Sequence, residues 1–142
     1  MVSKIDMLGS PNFIRGVYDG RNGPELVKKG SGNIQNLFEA YFDAQGLTHE
    51  PTPFNGRSDY GPFIEKGISA GGLAAGAEEI KTVEQQAKFG GSSFVALDSC
   101  YHRACDGLAN INPAAIESLS KAAASVLWTL AMEADLRGFL EQ

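Results

Sequence analysis

The sequence predicts an α/β fold, because short apolar runs typical of strands alternate with segments of helical periodicity. The clearest helical signal lies at Asn33 to Gln45, where apolar residues recur on one face. A second begins at Asn112-Pro113, which joins an N-cap residue to a proline at the first helical position. The length of 142 residues is typical of one domain, and we find no repeat and no linker. We therefore predict a single domain over residues 1–142.

Two strands are predicted before the first helix. Ile5 to Leu8 is a short apolar run that ends at the turn signal Gly9-Ser10-Pro11-Asn12. Phe13 to Tyr18 is the second, and Asp19-Gly20 closes it. A polar, glycine-rich loop is expected from there to the helix.

The predicted helix from Asn33 to Gln45 ends at Gly46, a residue typical of the position after a helix. Pro51 and Pro53 each push the preceding residue away from helical geometry, so Leu47 to Phe54 is predicted to be an extended connection. The apolar face of the helix consists of Ile34, Leu37, Phe38, Tyr41 and Phe42.

Four further elements are predicted in the second half of the chain. They are a short helix from Pro62 to Lys66, a strand from Ile68 to Leu73, one or two helical turns within Thr82 to Lys88, and a final helix from Asn112 to about Arg137. The strand contains Gly71-Gly72, which indicates the close approach of another backbone or of a ligand.

The charge pattern argues against a nucleic-acid partner. Seventeen acidic residues against twelve basic ones give a net charge of -5, and the longest basic cluster is Lys28-Lys29. Phosphate binding needs a denser basic surface than this. The chain also has no apolar run near the roughly 20 residues that a membrane helix requires. Residues 1–6 show no signal-peptide pattern, so we expect the chain as written not to be exported.

The most reactive stretch is Cys100-Tyr101-His102-Arg103-Ala104-Cys105-Asp106, which holds both cysteines and one of the two histidines. Cysteine, tyrosine and histidine together supply redox chemistry, proton donation and metal ligation. The two cysteines could be free thiols, a metal-binding pair or a disulfide. The other histidine, His49, is expected to be a solvated loop residue.

Two more residues are candidates for a functional site. Asp6 lies in an apolar strand, where a carboxylate is costly unless it is paired, protonated or bound to metal, although it could also cap the following loop. Arg57 could form a surface ion pair with Asp59, or its guanidinium could receive a carboxylate or an oxyanion.

Five segments, in order along the chain, resemble the co-catalytic double-zinc aminopeptidases of the bacterial and fungal leucine aminopeptidase type. The resemblance runs from about Lys4 to Ala131 and implies a three-layer α/β/α sandwich. The segments are Ile5 to Asn12, Gly56 to Phe63, Ala70 to Leu73, Gly76 to Thr82 and Cys100 to Asp106.

The resemblance implies roles for individual residues. Asp6 and His102 would be zinc ligands. Tyr101 would donate a hydrogen bond to the oxyanion of the tetrahedral intermediate, as a catalytic and substrate-binding residue, and Arg57 would line the substrate pocket. Cys100 and Cys105 would form a disulfide that holds this loop.

Two aspartates remain alternatives for orienting the imidazole of His102, namely Asp98 and Asp106. Ala74 stands where the family usually has a phenylalanine in the pocket for the first side chain, which leaves the preferred N-terminal residue open.

The implied activity is hydrolysis of N-terminal residues from peptides with a free N-terminus, with two Zn²⁺ ions as cofactors. In that family the other metal ligands and the general-base glutamate precede the segment that matches Ile5 to Asn12. We therefore expect this chain to be the C-terminal part of a catalytic domain, truncated on its N-terminal side and inactive alone. The alternative is a non-catalytic pseudoenzyme or interaction module that retains the scaffold.

Two further expectations concern the environment of the chain. A truncated sheet would have an exposed edge, through which the chain could self-associate. The resemblance and the implied disulfide favour secretion into an oxidising compartment, although these residues contain no signal peptide.

Overall fold

A four-stranded mixed sheet forms the centre of the computed structural model, which describes residues 1–141. The strand order across the sheet is β1-β4-β2-β3. β1 is parallel to β4, β2 is antiparallel to β4, and β3 is parallel to β2. The strands are β1 (Val2–Asp6), β2 (Gly16–Tyr18), β3 (Glu50–Thr52) and β4 (Ala70–Ala74).

Five α-helices surround this sheet in the described part of the chain. They are α1 (Lys28–Ala44), α2 (Gly61–Glu65), α3 (Val83–Phe89), α4 (Pro113–Met132) and α5 (Leu136–Glu141). Two short 3₁₀ turns, Gly20–Asn22 and Leu108–Asn110, complete the helical elements.

One face of the sheet is covered by α1 and α4. The side chains of Val17 and Leu73 point to this face and are fully buried among apolar residues of both helices. α1 approaches β4 closely because Gly71 has no side chain, and a Cβ there would lie 2.5 Å from Cγ2 of Ile34. The helical core residues are Ile34, Phe38 and Phe42 of α1, and Leu119, Ala122, Ala123, Val126 and Leu130 of α4.

The opposite face carries a second apolar cluster. Tyr18 and Ala70 point to this face, as expected from the alternation of side chains along a strand. Tyr60, Ile64 of α2 and Val27 cover them. Because helices lie on both faces, the α/β architecture is confirmed.

Several predicted boundaries were wrong. The first strand is Val2–Asp6 rather than Ile5 to Leu8, because its pairing with β4 runs from Val2 opposite Ala70 to Asp6 opposite Ala74. Met7 then takes a left-handed backbone conformation with φ 49°, which ends the strand.

The C-terminal helix also differs from its prediction. The sequence predicted one helix to about Arg137, whereas α4 ends at Met132 and α5 starts at Leu136. Glu133 has extended geometry with ψ 119°, and Asp135 accepts a hydrogen bond from the backbone N–H of Gly138 at the start of α5. None of the helices formed by residues 1–141 is long and apolar enough to cross a bilayer.

At one end of the four strands, four paired residues form a row across the sheet, which we call the rim row: Asp6, Ala74, Gly16 and Glu50. Asp6 and Ala74 are the last residues of β1 and β4, whereas Gly16 and Glu50 are the first residues of β2 and β3. Each is the direct partner of the next across the sheet. Their Cα–Cβ directions therefore share one face of the sheet.

Candidate active site

A cavity of about 290 Å³ lies at the rim row, on the face of the sheet that carries Tyr18. Three residues that the sequence singled out from separate motifs, Asp6, Arg57 and Tyr101, line it together. Ala74 also lines it. The fourth candidate, His102, is exposed and is not among the lining residues, but its ring centroid lies 4.1 Å from that of Tyr101.

Asp6 faces this cavity from the end of β1. Its Oδ2 accepts a hydrogen bond of 2.6 Å from the Ser58 hydroxyl and lies 3.8 Å from Nζ of Lys4. The side chain is 37% exposed, so it is less enclosed than a carboxylate inside an apolar strand would be. The described hydrogen bonds of the carboxylate lead to Ser58 and not to the loop that follows β1, which removes the loop-capping interpretation.

The loop that carries Tyr101 and His102 is fixed at both ends. Cys100 and Cys105 form a disulfide with a Cα–Cα distance of 5.3 Å, which confirms the pairing implied by the resemblance. Asp98 precedes it, and its backbone N–H donates to the Ala77 carbonyl at 2.6 Å. The seven-residue cluster is therefore tied to the segment that contains Glu78 and Glu79.

The two aspartates considered as partners of His102 have different surroundings. Asp98 is buried, and its Oδ1 accepts hydrogen bonds of 2.9 Å from the Cys100 backbone and from Asn110. Asp106 accepts a longer bond of 3.3 Å from the same Asn110 side chain. Within residues 1–141, no hydrogen bond joins either carboxylate to His102. The structure thus gives Asp98 a role in holding the loop, and its role toward the imidazole stays a prediction.

Arg57 forms an ion pair with Glu78, and both side chains line the cavity. The hydrogen bond from Arg57 lowers the pKa of Glu78, and the nearby His102 contributes a smaller effect in the same direction. The same bond raises the pKa of Arg57. Among the described residues, Asp59 is paired with Lys4 instead, whose Nζ donates a bond of 2.6 Å to Oδ2.

Backbone conformation is unusual beside both predicted metal ligands. Met7 follows Asp6 with φ 49°, and His102 itself has φ 55°. Residues with a Cβ rarely adopt these values, and such conformations cluster at binding and catalytic sites. Phe94, which does not line the cavity, also has φ 61°, so this conformation is not confined to the surroundings of Asp6 and His102.

The cavity is acidic. Asp6, Glu50, Glu78 and Glu79 contribute carboxylates to its lining, and Arg57 is its one cation among the described residues. A cavity of this charge attracts cationic ligands.

The residues present do not complete a zinc site. Among residues 1–141, no group of three or more histidine, cysteine, aspartate or glutamate side chains is arranged to hold a metal ion. A catalytic zinc normally has three protein ligands, and the candidates here are Asp6 and His102. We derive no catalytic step through a metal from these residues alone.

Comparison with known proteins identifies the family. The model of peptidase family M28 matches residues 1–127. The chain belongs to this family. This chain is also similar to leucine aminopeptidase 2 of Trichophyton rubrum, with 47% identity over 137 residues. The matched residues cover 95% of this chain and 27% of that protein.

Two other relatives also match most of this chain over a small part of their own length. Leucine aminopeptidase 2 of Trichophyton equinum is 51% identical over 114 residues, covering 79% of this chain and 23% of that protein. An aminopeptidase of Pseudomonas aeruginosa is 49% identical over 125 residues, covering 86% of this chain and 23% of that protein. The chain thus spans about a quarter of the length of the curated relatives it matches.

Sequence reasoning missed three residues of the M28 cavity: Ser58, Glu78 and Glu50. Ser58 and Glu78 lie inside motifs that carried the resemblance, so their motif position was a usable signal. Glu50 had no such signal, because its place at the cavity depends on the pairing of β3 with β2.

Proposed function

We propose that this chain is part of the catalytic domain of a zinc-dependent aminopeptidase that removes N-terminal residues from peptides. The observation that carries the proposal is the meeting of Asp6, Arg57 and Tyr101 in one cavity, although they lie far apart in the sequence. Membership of peptidase family M28 and similarity to aminopeptidases support it.

Each residue has a proposed role. Asp6 and His102 are zinc ligands, and zinc, when bound, supplies a Lewis acid and lowers the pKa of a bound water. The phenol of Tyr101 donates a hydrogen bond to the oxyanion that forms on the scissile carbonyl. Arg57, held by Glu78, borders the cavity where the peptide enters.

The remaining metal ligands and the general base are proposed to lie outside these 142 residues. Asp6 and His102 give at most one ligand to each of the two zinc ions, whereas a catalytic zinc normally has three, so the isolated chain is expected to bind zinc weakly and to be inactive. The alternative function, a non-catalytic scaffold, is favoured by the same incomplete ligand set and by Ala74 in the pocket.

Two measurements test these proposals. Calorimetry on the 142-residue chain is expected to show no sub-micromolar zinc site, and the chain is expected not to hydrolyse a leucyl anilide. In the complete polypeptide encoded by the gene, Tyr101→Phe should lower kcat roughly 10²- to 10³-fold while zinc content is unchanged. His102→Ala should lower zinc content. Tyr41→Phe, on α1 and outside the cavity, is the matched control.

The outcomes separate the two functions. Two tight zinc sites or turnover in the isolated chain would contradict the proposed division of the ligands. A complete polypeptide that binds zinc but hydrolyses no aminoacyl anilide would support the non-catalytic scaffold instead.

Secretion is a further part of the proposal. The Cys100–Cys105 disulfide is typical of oxidising compartments. Recovery of the disulfide-bonded protein from culture medium would support it, and reduced thiols in protein isolated from the cytosol would contradict it.

A further inference from the structure

We infer that Glu50 forms the far end of the substrate pocket and selects peptides whose N-terminal residue has a long cationic side chain, lysine or arginine. This inference rests on the proposed function and names its substrate class. It is carried by the rim row, whose two outer members, Asp6 and Glu50, both line the cavity.

The length of the pocket follows from the sheet. Asp6 and Glu50 lie on the two outer strands, with Ala74 and Gly16 between them. Neighbouring strands are about 4.8 Å apart, so the two outer Cα atoms are separated by roughly 14 Å. Both carboxylates line the same cavity.

The two residues between Asp6 and Glu50 in the rim row are small. Ala74 contributes a methyl group and Gly16 no side chain at all. A Cβ on Gly16 would lie 2.7 Å from the backbone oxygen of Ala74, so no larger residue fits at this position. Cβ of Thr52 lies 3.2 Å from the same position, so the small side chains of Ala74 and Thr52 line the cavity beside Gly16.

Apolar residues also line the cavity that contains Asp6 and Glu50. Ile14, Pro51 and Leu97 line the cavity beside the rim row. Such walls suit the methylene stem of lysine or arginine, whose charged end then needs a polar partner. An extended lysine side chain reaches about 6 Å from Cα to Nζ, which is roughly half of the distance between the outer strands.

Glu50 can serve as that partner. Its side chain is 13% exposed; Oε1 accepts a bond of 2.6 Å from Gln85, and Oε2 accepts one of 3.0 Å from Lys88. A carboxylate offers about four acceptor positions, so two remain for a ligand. Lys88 is half exposed, and water screens its attraction to Glu50.

Binding to the full 142-residue chain without metal tests the inference directly. Lysinamide and norleucinamide both carry the α-ammonium and a linear side chain, but only lysinamide has a second cation. We expect lysinamide to bind at least 10-fold more tightly, with NMR shifts at the backbone amides of Glu50 and Ala74. Equal affinity of the two amides would overturn the inference.

Variants with opposite expected effects keep this test independent of folding defects. Glu50→Gln should lower lysinamide affinity to that of norleucinamide. Ala74→Phe should do the same, because its larger side chain would occupy part of the cavity. Lys88→Ala should raise lysinamide affinity, because it removes the competing cation. Glu65→Gln, an exposed carboxylate on α2 outside the cavity, is the control. A Lys88→Ala chain that binds lysinamide no better than wild type would contradict the role of Glu50.

Turnover by the complete polypeptide separates this inference from the proposed function. The ratio of kcat/KM for lysyl over norleucyl anilide should exceed 10 and fall in Glu50→Gln. Turnover of both anilides at an equal kcat/KM contradicts the inference alone. Turnover of neither contradicts the proposed function, whereas the binding measurement still decides the inference.

Discussion

The pKa of the Tyr18 phenol depends on the position of this residue in the cavity wall. It lies in the wall beside Asp6, and it is almost fully buried. Burial raises the pKa of its phenol to about 12, the Ser58 hydroxyl opposes this shift, and the charge of Asp6 adds to it. Tyr18 therefore stays neutral over the whole range in which a peptidase would work.

This raised pKa predicts loss of stability in alkali. The unfolded phenol releases its proton near pH 10 and the folded one near 12, so the folded state binds more protons in that interval. The free energy of unfolding should fall between pH 10 and 12, by roughly 2 to 3 kcal/mol in total from this group. Urea unfolding at several pH values should show a smaller fall in Tyr18→Phe; an equal fall would contradict the assignment.

His49 illustrates a residue that the sequence placed wrongly. It was expected to be solvated, but its side chain is only 18% exposed and its ring stacks on Phe42 at 5.7 Å. Its Nε2 lies 3.0 Å from Oδ1 of Asp43 at the end of α1. A single histidine in a polar segment gives no sign of such packing, because the partner ring is brought close only by the turn after the helix.

Among the elements, α4 depends on its cap. Oδ1 of Asn112 accepts hydrogen bonds from the backbone N–H groups of Ala114 and Ala115 at 3.1 and 3.3 Å. Asn112→Ala should lower the free energy of unfolding by about 1 kcal/mol. Asn112→Ser keeps a side-chain acceptor and should lose less. Chemical unfolding checks both variants, and an alanine variant as stable as wild type would contradict the role of the cap.

The loop closed by Cys100 and Cys105 gives a second test at this scale. Loss of so short a cross-link should cost about 2 kcal/mol through the entropy of the unfolded chain. The double variant Cys100→Ser, Cys105→Ser should match the chemically reduced wild type in urea unfolding. If reduction left the unfolding curve of the wild type unchanged, the disulfide would not contribute to stability.

Local signals explain which elements could be predicted. The existence of α1 was predicted because its apolar residues repeat at helical spacing, although the helix begins at Lys28 rather than at Asn33. The start of α4 was predicted because Asn112-Pro113 is a local capping signal. The predicted bounds of β1 were wrong because Val2 and Ser3 belong to the strand through their pairing with β4. That pairing has no signature in the local sequence. Glu50 was missed for the same reason, whereas Asp6, Arg57, Tyr101 and His102 were selected as candidates through motifs.

At the scale of the whole molecule, β1 is the outermost strand on its side of the sheet and, within residues 1–141, pairs only with β4. Val2 donates its backbone N–H to Ser69 on the β4 side, so alternation directs the N–H groups of Ser3 and Ile5 to the other side. An edge of this kind can pair with another strand. We propose that isolated copies of this chain associate through it.

Light scattering at increasing concentration tests this proposal. Ser3→Pro removes one outward N–H and should shift the chain toward a monomer. Ser3→Ala is the control, since within residues 1–141 the Ser3 hydroxyl has no hydrogen-bond partner. A wild-type chain that stays monomeric at high concentration would contradict pairing through β1.

The left-handed backbone at His102 has a consequence for how this chain can change under mutation. Holding a residue with a Cβ at φ 55° costs about 1 kcal/mol, whereas glycine and asparagine tolerate this conformation. A library at position 102 selected only for heat resistance should therefore drift to glycine or asparagine. We expect histidine to be recovered only when hydrolysis by the complete polypeptide is also selected. This result would show that His102 is kept for activity, although the backbone conformation favours glycine or asparagine.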